Sequence, residues 1–491
     1  MLRIKFYTFN SLYCLILIFC CLLPATDLLA AERLELTLKD AISVSIKENL
    51  SLASERINSK IADADIKFRK GEFDPAVELK AIESYRKYPS ASLLTGTEER
   101  ILNADISLGG KINTGTKYEI KWTNERIRNN SGYLRINPYY TSELMLTLNQ
   151  PILKGLGKNI QETSLNVSKN KLEISRLNLD DKSIRIIADT ANAYWDLVFK
   201  RHNLEVAEIS LKLAHNVSNE VKARIESGTL APVEIYKSEA ETSLREEALL
   251  RAQKSVSDAE DKLRVVMNLK DWKTKLIPIE KLPFPSDIQP EESAIDTAIK
   301  NRTDYKQAII ENKNRKILTK YYDNQKYPDL EIIGALGLNG MNGTYNNTID
   351  RLNSQDYYSW QFGLSLRIPI GNREAEGKFL EAKNEEERSD LNLKIIEQNI
   401  TAEVRASFRE VQLASEAITT VRKTRIAAEK RLEAEEGRFK VGMATLNDIL
   451  KFQEEYAKSL SSEKKAAVDY ARAVVEFERV KGTLGQDMPL P

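Results

Sequence analysis

Two stretches of this chain, 214 residues apart, carry the same interruption in the same kind of helix. "RIESGTLAPVEIYKSEAE" runs from Arg224 to Glu241, and "RFKVGMATLNDILKFQEE" from Arg438 to Glu455. Arg224, Gly228, Ile235 and Lys237 fall on Arg438, Gly442, Ile449 and Lys451, and Glu234 falls on another acid, Asp448. An internal repeat constrains a fold more than local propensity does, because both copies have to be the same supersecondary unit. The match extends along the chain. A shift of 253 superposes Ala41, Ile42, Ile46, Lys47 and Pro75 on Ala294, Ile295, Ile299, Lys300 and Pro328. A shift of 218 superposes Leu146, Leu148 and Pro151 on Leu364, Leu366 and Pro369. The offset falls from 253 to 218 between Pro75 and Pro151, so the first copy is 35 residues longer there.

The chain therefore divides into an N-terminal segment (1–31), a first repeat (32–275), a proline-bearing linker (276–292) and a second repeat (293–491). Each repeat reads helix, strands, long helix, turn, helix. The first helix spans about 38–71, opened by Thr37 and Asp40. Strands occupy 76–151 and 329–369, and the turns fall near 228 and 442. Leu197, Leu204 and Leu211 recur by sevens, with Ala193, Ala207 and Ala214 in a parallel row, which is coiled-coil packing. The long helices, about 70 residues each, would extend roughly 100 Å. The two shorter helices of each copy sum to nearly that length and would stack end to end beside the long one.

Segment 1–31 has Arg3 and Lys5, then the apolar run "SLYCLILIFCCLLPA", then Ala30 and Ala31, the order of a secretory signal peptide. A transmembrane anchor is the competing reading, but about 14 apolar residues is short for a bilayer span. A lipoprotein cysteine is disfavoured by the bulky residues before Cys20 and Cys21. Cys14, Cys20 and Cys21 are the chain's three cysteines, so removal of the leader leaves no thiol, disulfide or cysteine metal site. The formal net charge of +1 offers no field for nucleic acid.

Between the helices the period changes from seven to two. Tyr358, Trp360, Phe362, Leu364, Leu366 and Ile368 alternate with Ser359, Gln361, Gly363, Ser365 and Arg367. Leu144, Leu146 and Leu148 do the same in the first copy. Such alternation suits either a soluble sandwich with the apolar face inside or an outer-membrane barrel with that face in lipid. Four strands close neither, whereas strands from several chains could complete one barrel. The extra segment around 91–130 also alternates, and either adds strands or forms an external hairpin.

The signal peptide, tandem helix–strand–helix repeats, strand-to-helix prolines and paired glycine breaks together resemble the TolC family of outer-membrane efflux proteins. The residues that carry it are "LTLNQPILKG" (146–155), "LSLRIPIGN" (364–372), "SGTLAPVEIYKSEAE" (227–241) and "VGMATLNDILKFQEE" (441–455). The resemblance implies an α+β membrane protein of Gram-negative bacteria. In it a homotrimer shares one β-barrel in the outer membrane, continued by a long periplasmic α-helical barrel of coiled-coil helices. The implied activity is that of a passive exit duct for a tripartite efflux or type I secretion system. The implied partners are a periplasmic adaptor (a membrane fusion protein), an inner-membrane transporter of RND or ABC type, and outer-membrane lipid. In the family the two helix breaks are hairpin turns at a periplasmic gate, where the adaptor docks. Carried over by position, a ring acid falls on Asp448. A second ring acid falls on Lys451, a latching arginine on Ala444 and a latching tyrosine on Phe439, three departures; the latch's acidic partner falls on Glu234. Apart from the resemblance, Asp448 and Glu234 sit where an acid favours a positive helix terminus. Gly228 and Gly442 supply turn conformations, and Arg224 and Arg438 contact the last helical carbonyls or a partner hairpin.

No phosphate loop, nucleophile elbow or metal spacing is present, and His202 and His215 lie in helical heptad context. The sequence thus gives no sign of an enzyme and implies no cofactor or metal. A periplasmic coiled-coil adaptor is the alternative; it would need one helical hairpin with soluble barrel segments, and no alternating aromatic strands.

Overall fold

The computed structural model describes residues 33–91, 94–282, 285 and 289–485; segment 1–31, read above as a signal peptide, lies outside them. In the first half the elements are β1 (Arg33–Leu36), α1 (Leu38–Glu48), α2 (Leu50–Lys70) and β2 (Ala76–Lys87). Then come β3 (Glu98–Lys111), β4 (Lys117–Asn129), β5 (Tyr139–Pro151), α3 (Lys158–Gln161), α4 (Thr163–Glu226) and α5 (Glu234–Met267). The second half has β6 (Lys275–Pro278), α6 (Glu291–Asn301), α7 (Thr303–Gln325) and β7 (Asp329–Asn342). It ends with α8 (Tyr345–Asn353), β8 (Tyr358–Arg367), α9 (Arg373–Lys440) and α10 (Leu446–Lys481).

The long helices α4 and α9 have 64 and 68 residues, so each extends about 95–100 Å at 1.5 Å per residue. Helix α2 and then α5 lie along α4; α7 and then α10 lie along α9, and α4 contacts both α7 and α10. The sequence reads the first helix as continuous over 38–71, whereas the backbone breaks at Asn49. Asn49 Oδ1 accepts from the N–H groups of Ser51 and Leu52 and so caps α2, while its Nδ2 donates to Val266 O near the end of α5 at 2.8 Å. Asn268 Nδ2 returns a bond to Glu48 O at 3.0 Å. Two asparagines thus satisfy helix-end groups that would otherwise be orphaned where the rods abut. In the second half the helix read over 293–326 likewise breaks, at Arg302. The Arg302 guanidinium pairs with Asp304 on α7 and with Glu403 on α9.

The principal core lies at this mid-level joint. Tyr194, Trp195 and Leu197 of α4 pack with Leu263 and Met267 of α5, Val468 and Ala471 of α10, and Leu276 of β6. Strand β6 starts at the last residue of the first repeat, runs into the segment read as linker and forms a parallel ladder with β1, Arg33 to Lys275 through Leu36 to Pro278. A second cluster joins Ile400, Val404 and Val411 of α9 to Tyr470 and Phe477 of α10 and to Ala294 and Ala298 of α6.

The other strands form one antiparallel sheet in the order β2-β3-β4-β5-β7-β8. The extra residues of the first half are therefore strands β3 and β4, paired along their length and separating β2 from β5. The register places apolar side chains of all six strands on one face. Val77 and Leu79 stand beside Leu108 and Ile106, then Ile120 and Trp122, then Leu146 and Leu144. Leu336 and Leu338 of β7 and Trp360 and Tyr358 of β8 complete the belt. The opposite face is largely polar, with Lys121 paired to Asp105 at 3.2 Å and Asn103 donating to Glu125 at 3.2 Å. Helix α8 folds over the end of the belt face, where its backbone passes Gly340 so closely that a Cβ would stand 2.3 Å from Thr348 O.

The joint yields a direct prediction. Tyr194 is fully buried, its hydroxyl donating to Leu36 O at 2.9 Å and accepting from Glu280 N–H at 3.1 Å. Tyr194→Phe removes both bonds and is expected to cost about 1–3 kcal/mol, read as a lower thermal midpoint of the helical circular-dichroism signal.

Candidate functional site

At the far end of the rods the two turns come side by side. Helix α4 ends with Ser227 as C-cap and Gly228 beyond it at φ +77°; α9 ends with Val441 and Gly442, also at φ +77°. In the first turn Thr229 N–H donates to Arg224 O (2.9 Å) and Gly228 N–H to Ile225 O (3.0 Å). In the second, Met443 N–H donates to Arg438 O (2.8 Å) and Gly442 N–H to Phe439 O (3.0 Å). Both are Schellman closures, with glycine at the left-handed position that any other L-residue reaches only with strain.

The identical backbones carry different side-chain chemistry. Arg438 stays within its own turn, donating to Met443 O at 3.3 Å and pairing with Glu435 at 3.2 Å. Arg224 crosses over. Its Nη2 donates to Phe439 O of the other hairpin at 2.7 Å and to Glu220 at 2.7 Å, and its guanidinium lies 4.4 Å from the Phe439 ring centroid. Phe439 is buried, and its ring packs with Val221 of α4 and with Leu446 and Ile449 of α10; Ala444 and Leu230 flank the cluster. One arginine thus adds a second-hairpin donor to a helix-end carbonyl and covers an aromatic face, tying α4 to the end of α9.

The acids have local partners. Asp448 forms a capping box on α10: its N–H donates to Thr445 Oγ1 (3.2 Å), while Thr445 Oγ1–H (2.6 Å) and Thr445 N–H (3.0 Å) donate to Asp448 Oδ2. These bonds, helped by Arg438 and Lys451, hold its carboxyl below the usual carboxylate range. Glu234, at the start of α5, pairs with Lys237 at 2.9 Å. Lys451 is exposed one turn beyond Asp448. The structure therefore gathers Arg224, Phe439 and Ala444 around one cluster and leaves Glu234 with Lys237, not with that cluster. Sequence reasoning missed the Thr445 cap, whose signal was the Thr-x-x-Asp spacing before an apolar helical run. His202 lies higher on α4 beside Glu205; burial, and then the charge of Lys464, push its imidazole down, so it stays neutral at ordinary pH. Val233, Tyr236, Val441 and Met443 stand exposed around the two turns.

Three outcomes follow. Because the turns share one φ, Gly228→Ala and Gly442→Ala are each expected to destabilise the hairpin by about 1–2 kcal/mol, read by local hydrogen exchange. Thr445→Ala is expected to cost about 1 kcal/mol at the start of α10. The Asp448 carboxyl is depressed on folding, so its stabilisation is present above the unfolded carboxylate pKa and is lost as pH falls through the lowered folded value. Amide exchange over Leu446–Ile449 should accelerate in that acid range, and the Asp448→Asn variant should lack this dependence.

A family model described as "Outer membrane efflux protein" matches residues 294–483. The outer membrane protein TolC of Vibrio cholerae serotype O1 is 21% identical over 312 residues, 61% of this chain and 68% of the relative. The Campylobacter jejuni CmeC outer membrane channel has the same fold, with a TM-score of 0.66 at 15% identity over 92% of this chain and 87% of that one. The Neisseria gonorrhoeae MtrE outer membrane channel, solved in its open state, gives 0.64 at 16% identity over 92% and 90%. Residues 294–483 thus match the outer membrane efflux protein family, and the described chain has the fold of outer-membrane efflux channels.

Proposed function

We propose that this chain is one subunit of a trimeric exit duct in the outer membrane, a passive channel and not an enzyme. An inner-membrane transporter, of RND or ABC type, would drive it through a periplasmic adaptor, as part of a tripartite efflux or type I secretion system. The observation that most supports this reading is the continuity of each open edge. Edge helix α2 runs into edge strand β2, and edge strand β8 runs into edge helix α9. On one side Ile57, Ile61 and Phe68 of α2 are exposed; on the other, Leu380, Leu391 and Ile395 of α9. Two unlike edges on one subunit make a head-to-tail contact that generates a ring when the rotation closes. Ring closure would cover the helical seams and pair the free strand edges, which lipid requires.

The belt face favours this over a periplasmic adaptor. Trp360 and Phe362 are 70% and 67% exposed in the single subunit, with Leu336 beside Trp360 and the exposed Leu79 at the opposite edge of the same face. An aqueous protein gains nothing from a continuous apolar face of that size, whereas a bilayer solvates it. Within the duct, Gly228 and Gly442 set the periplasmic tip, and the exposed apolar residues around them suit adaptor docking. The Arg224 bond to Phe439 O holds the two hairpins of one subunit together and stands in for the family latch, since Ala444 cannot donate and Glu234 is engaged by Lys237. Asp448 and Lys451 at the start of α10 would set a weak charge preference at the mouth, because the lysine offsets the acid.

Purified trimer in a planar bilayer tests the reading. Wild type should show a mostly closed pore. Arg224→Ala removes a charged hydrogen bond of about 1.5–3 kcal/mol and is expected to raise opening roughly tenfold or more. A water-soluble monomer without conductance, in wild type and variant alike, would sink the duct.

A further inference from the structure

The sheet of one subunit has six strands, four from the first half and two from the second. We propose that the membrane wall of the trimer is an eighteen-stranded barrel, in which the β3–β4 hairpin forms part of the wall and β8 of each subunit pairs with β2 of the next copy of this chain. This rests on the trimeric duct proposed above and adds what that reading leaves open: two strands per half would give a wall of twelve, with the hairpin outside it.

Three observations put the hairpin in the wall. The first is register. β2 pairs with β3 from Ala76 to Lys87, and β4 pairs with β5 from Lys117 to Ile127, so β2 has no ladder to β5 that could close a narrower wall. Extruding the hairpin would break both ladders and leave their N–H and C=O groups unpaired in hydrocarbon. The second is position. The β3–β4 turn lies at the helix end of the sheet: Gly157 N–H donates to Thr114 O at 3.1 Å, and a Cβ on Gly115 would stand 2.8 Å from Gly155 O. The hairpin therefore spans the height of the sheet and does not rise above it. The third is chemistry. Ile106 and Ile120 continue the apolar belt without a gap, while Asp105 and Lys121 pair on the polar face that would line water.

The edges fit this closure. With six antiparallel strands in order, β2 runs away from the helices and β8 back toward them, so joining β8 to the next β2 keeps the whole ring antiparallel. Six strands alone fall short of the roughly eight that enclose even a side-chain-filled interior. Three copies reach the strand number at which barrels keep an open aqueous bore. At about 4.8 Å between strands and a tilt near 40°, the backbone diameter would be about 36 Å, against about 24 Å for twelve strands. The membrane segment would then be a wide mouth, and any restriction would lie in the helical part.

Electron cryomicroscopy of the wild-type trimer in lipid nanodiscs tests this directly. Eighteen wall strands are the expected result; a conducting trimer with twelve wall strands overturns the proposal while the duct reading survives. A non-conducting, non-trimeric chain overturns both. Single cysteines give an independent readout in liposomes. Ser107→Cys and Thr123→Cys, on the polar face, should react with a membrane-impermeant maleimide at least tenfold faster than Ile106→Cys and Ile120→Cys on the belt face. Equal labelling at all four positions would place the hairpin in water and overturn the proposal. So would an efficient disulfide between Leu79→Cys and Leu146→Cys, which requires β2 beside β5.

Discussion

Unpaired backbone along two strand edges is the constraint on which the rest of the molecule depends. β2 and β8 each have one side bonded and one side open. In water an open edge is an aggregation hazard; in hydrocarbon each unpaired N–H and C=O costs several kcal/mol. Six strands are too few for the single subunit to curl on itself, and in the proposed duct further copies supply the missing partners. Every helix then has to keep those edges in step, because α2 and α9 continue directly from β2 and β8. The end-to-end stacking of α2 on α5 and of α7 on α10 follows. A helical layer of nearly constant height needs short rods joined with their terminal groups satisfied, and Asn49 and Asn268 satisfy them in the first half.

The tip shows how two similar turns come to do different work. Both close with the same Schellman bonds and the same glycine conformation. The side chains divide the labour: Arg438 secures its own turn, whereas Arg224 ties the first hairpin to the second through one carbonyl and one ring. In the proposed duct this tie would hold the closed arrangement and yield to a docking partner, because it rests on one charged hydrogen bond and one ring contact at a partly exposed site. Asp448 is not a bare carboxylate. Its Oδ2 is engaged by Thr445, so the charge it presents comes with a structural duty at the start of α10.

Much of this was legible in the sequence. The change of period from seven to two separated rods from strands, because a helix and a strand can each bury only the residues their geometry brings to one face. The duplicated glycines marked the turns, because a positive φ is a local demand that glycine meets. The breaks at Asn49 and Arg302 were not legible, since helical residues flank both and neither residue breaks a helix by itself. The Lys275–Pro278 strand went unread, three of its residues falling in the linker, since its partner, Arg33–Leu36, lies 242 residues earlier in sequence.

What the sequence alone determined is the local grammar: rod lengths, alternating strands, glycine turns, a cap at Thr37, and the family these together resemble. Each depends on residues a few positions apart, where propensity and spacing decide. Only the tertiary structure decided which edge is free, that β3 and β4 stand between β2 and β5, and that Arg224 reaches Phe439, 215 residues away. Those are pairings between distant segments. A guanidinium satisfied by its own turn and one satisfied by a neighbouring hairpin have the same sequence around them, and only the packing of the rods brings one carbonyl, and not another, within 2.7 Å.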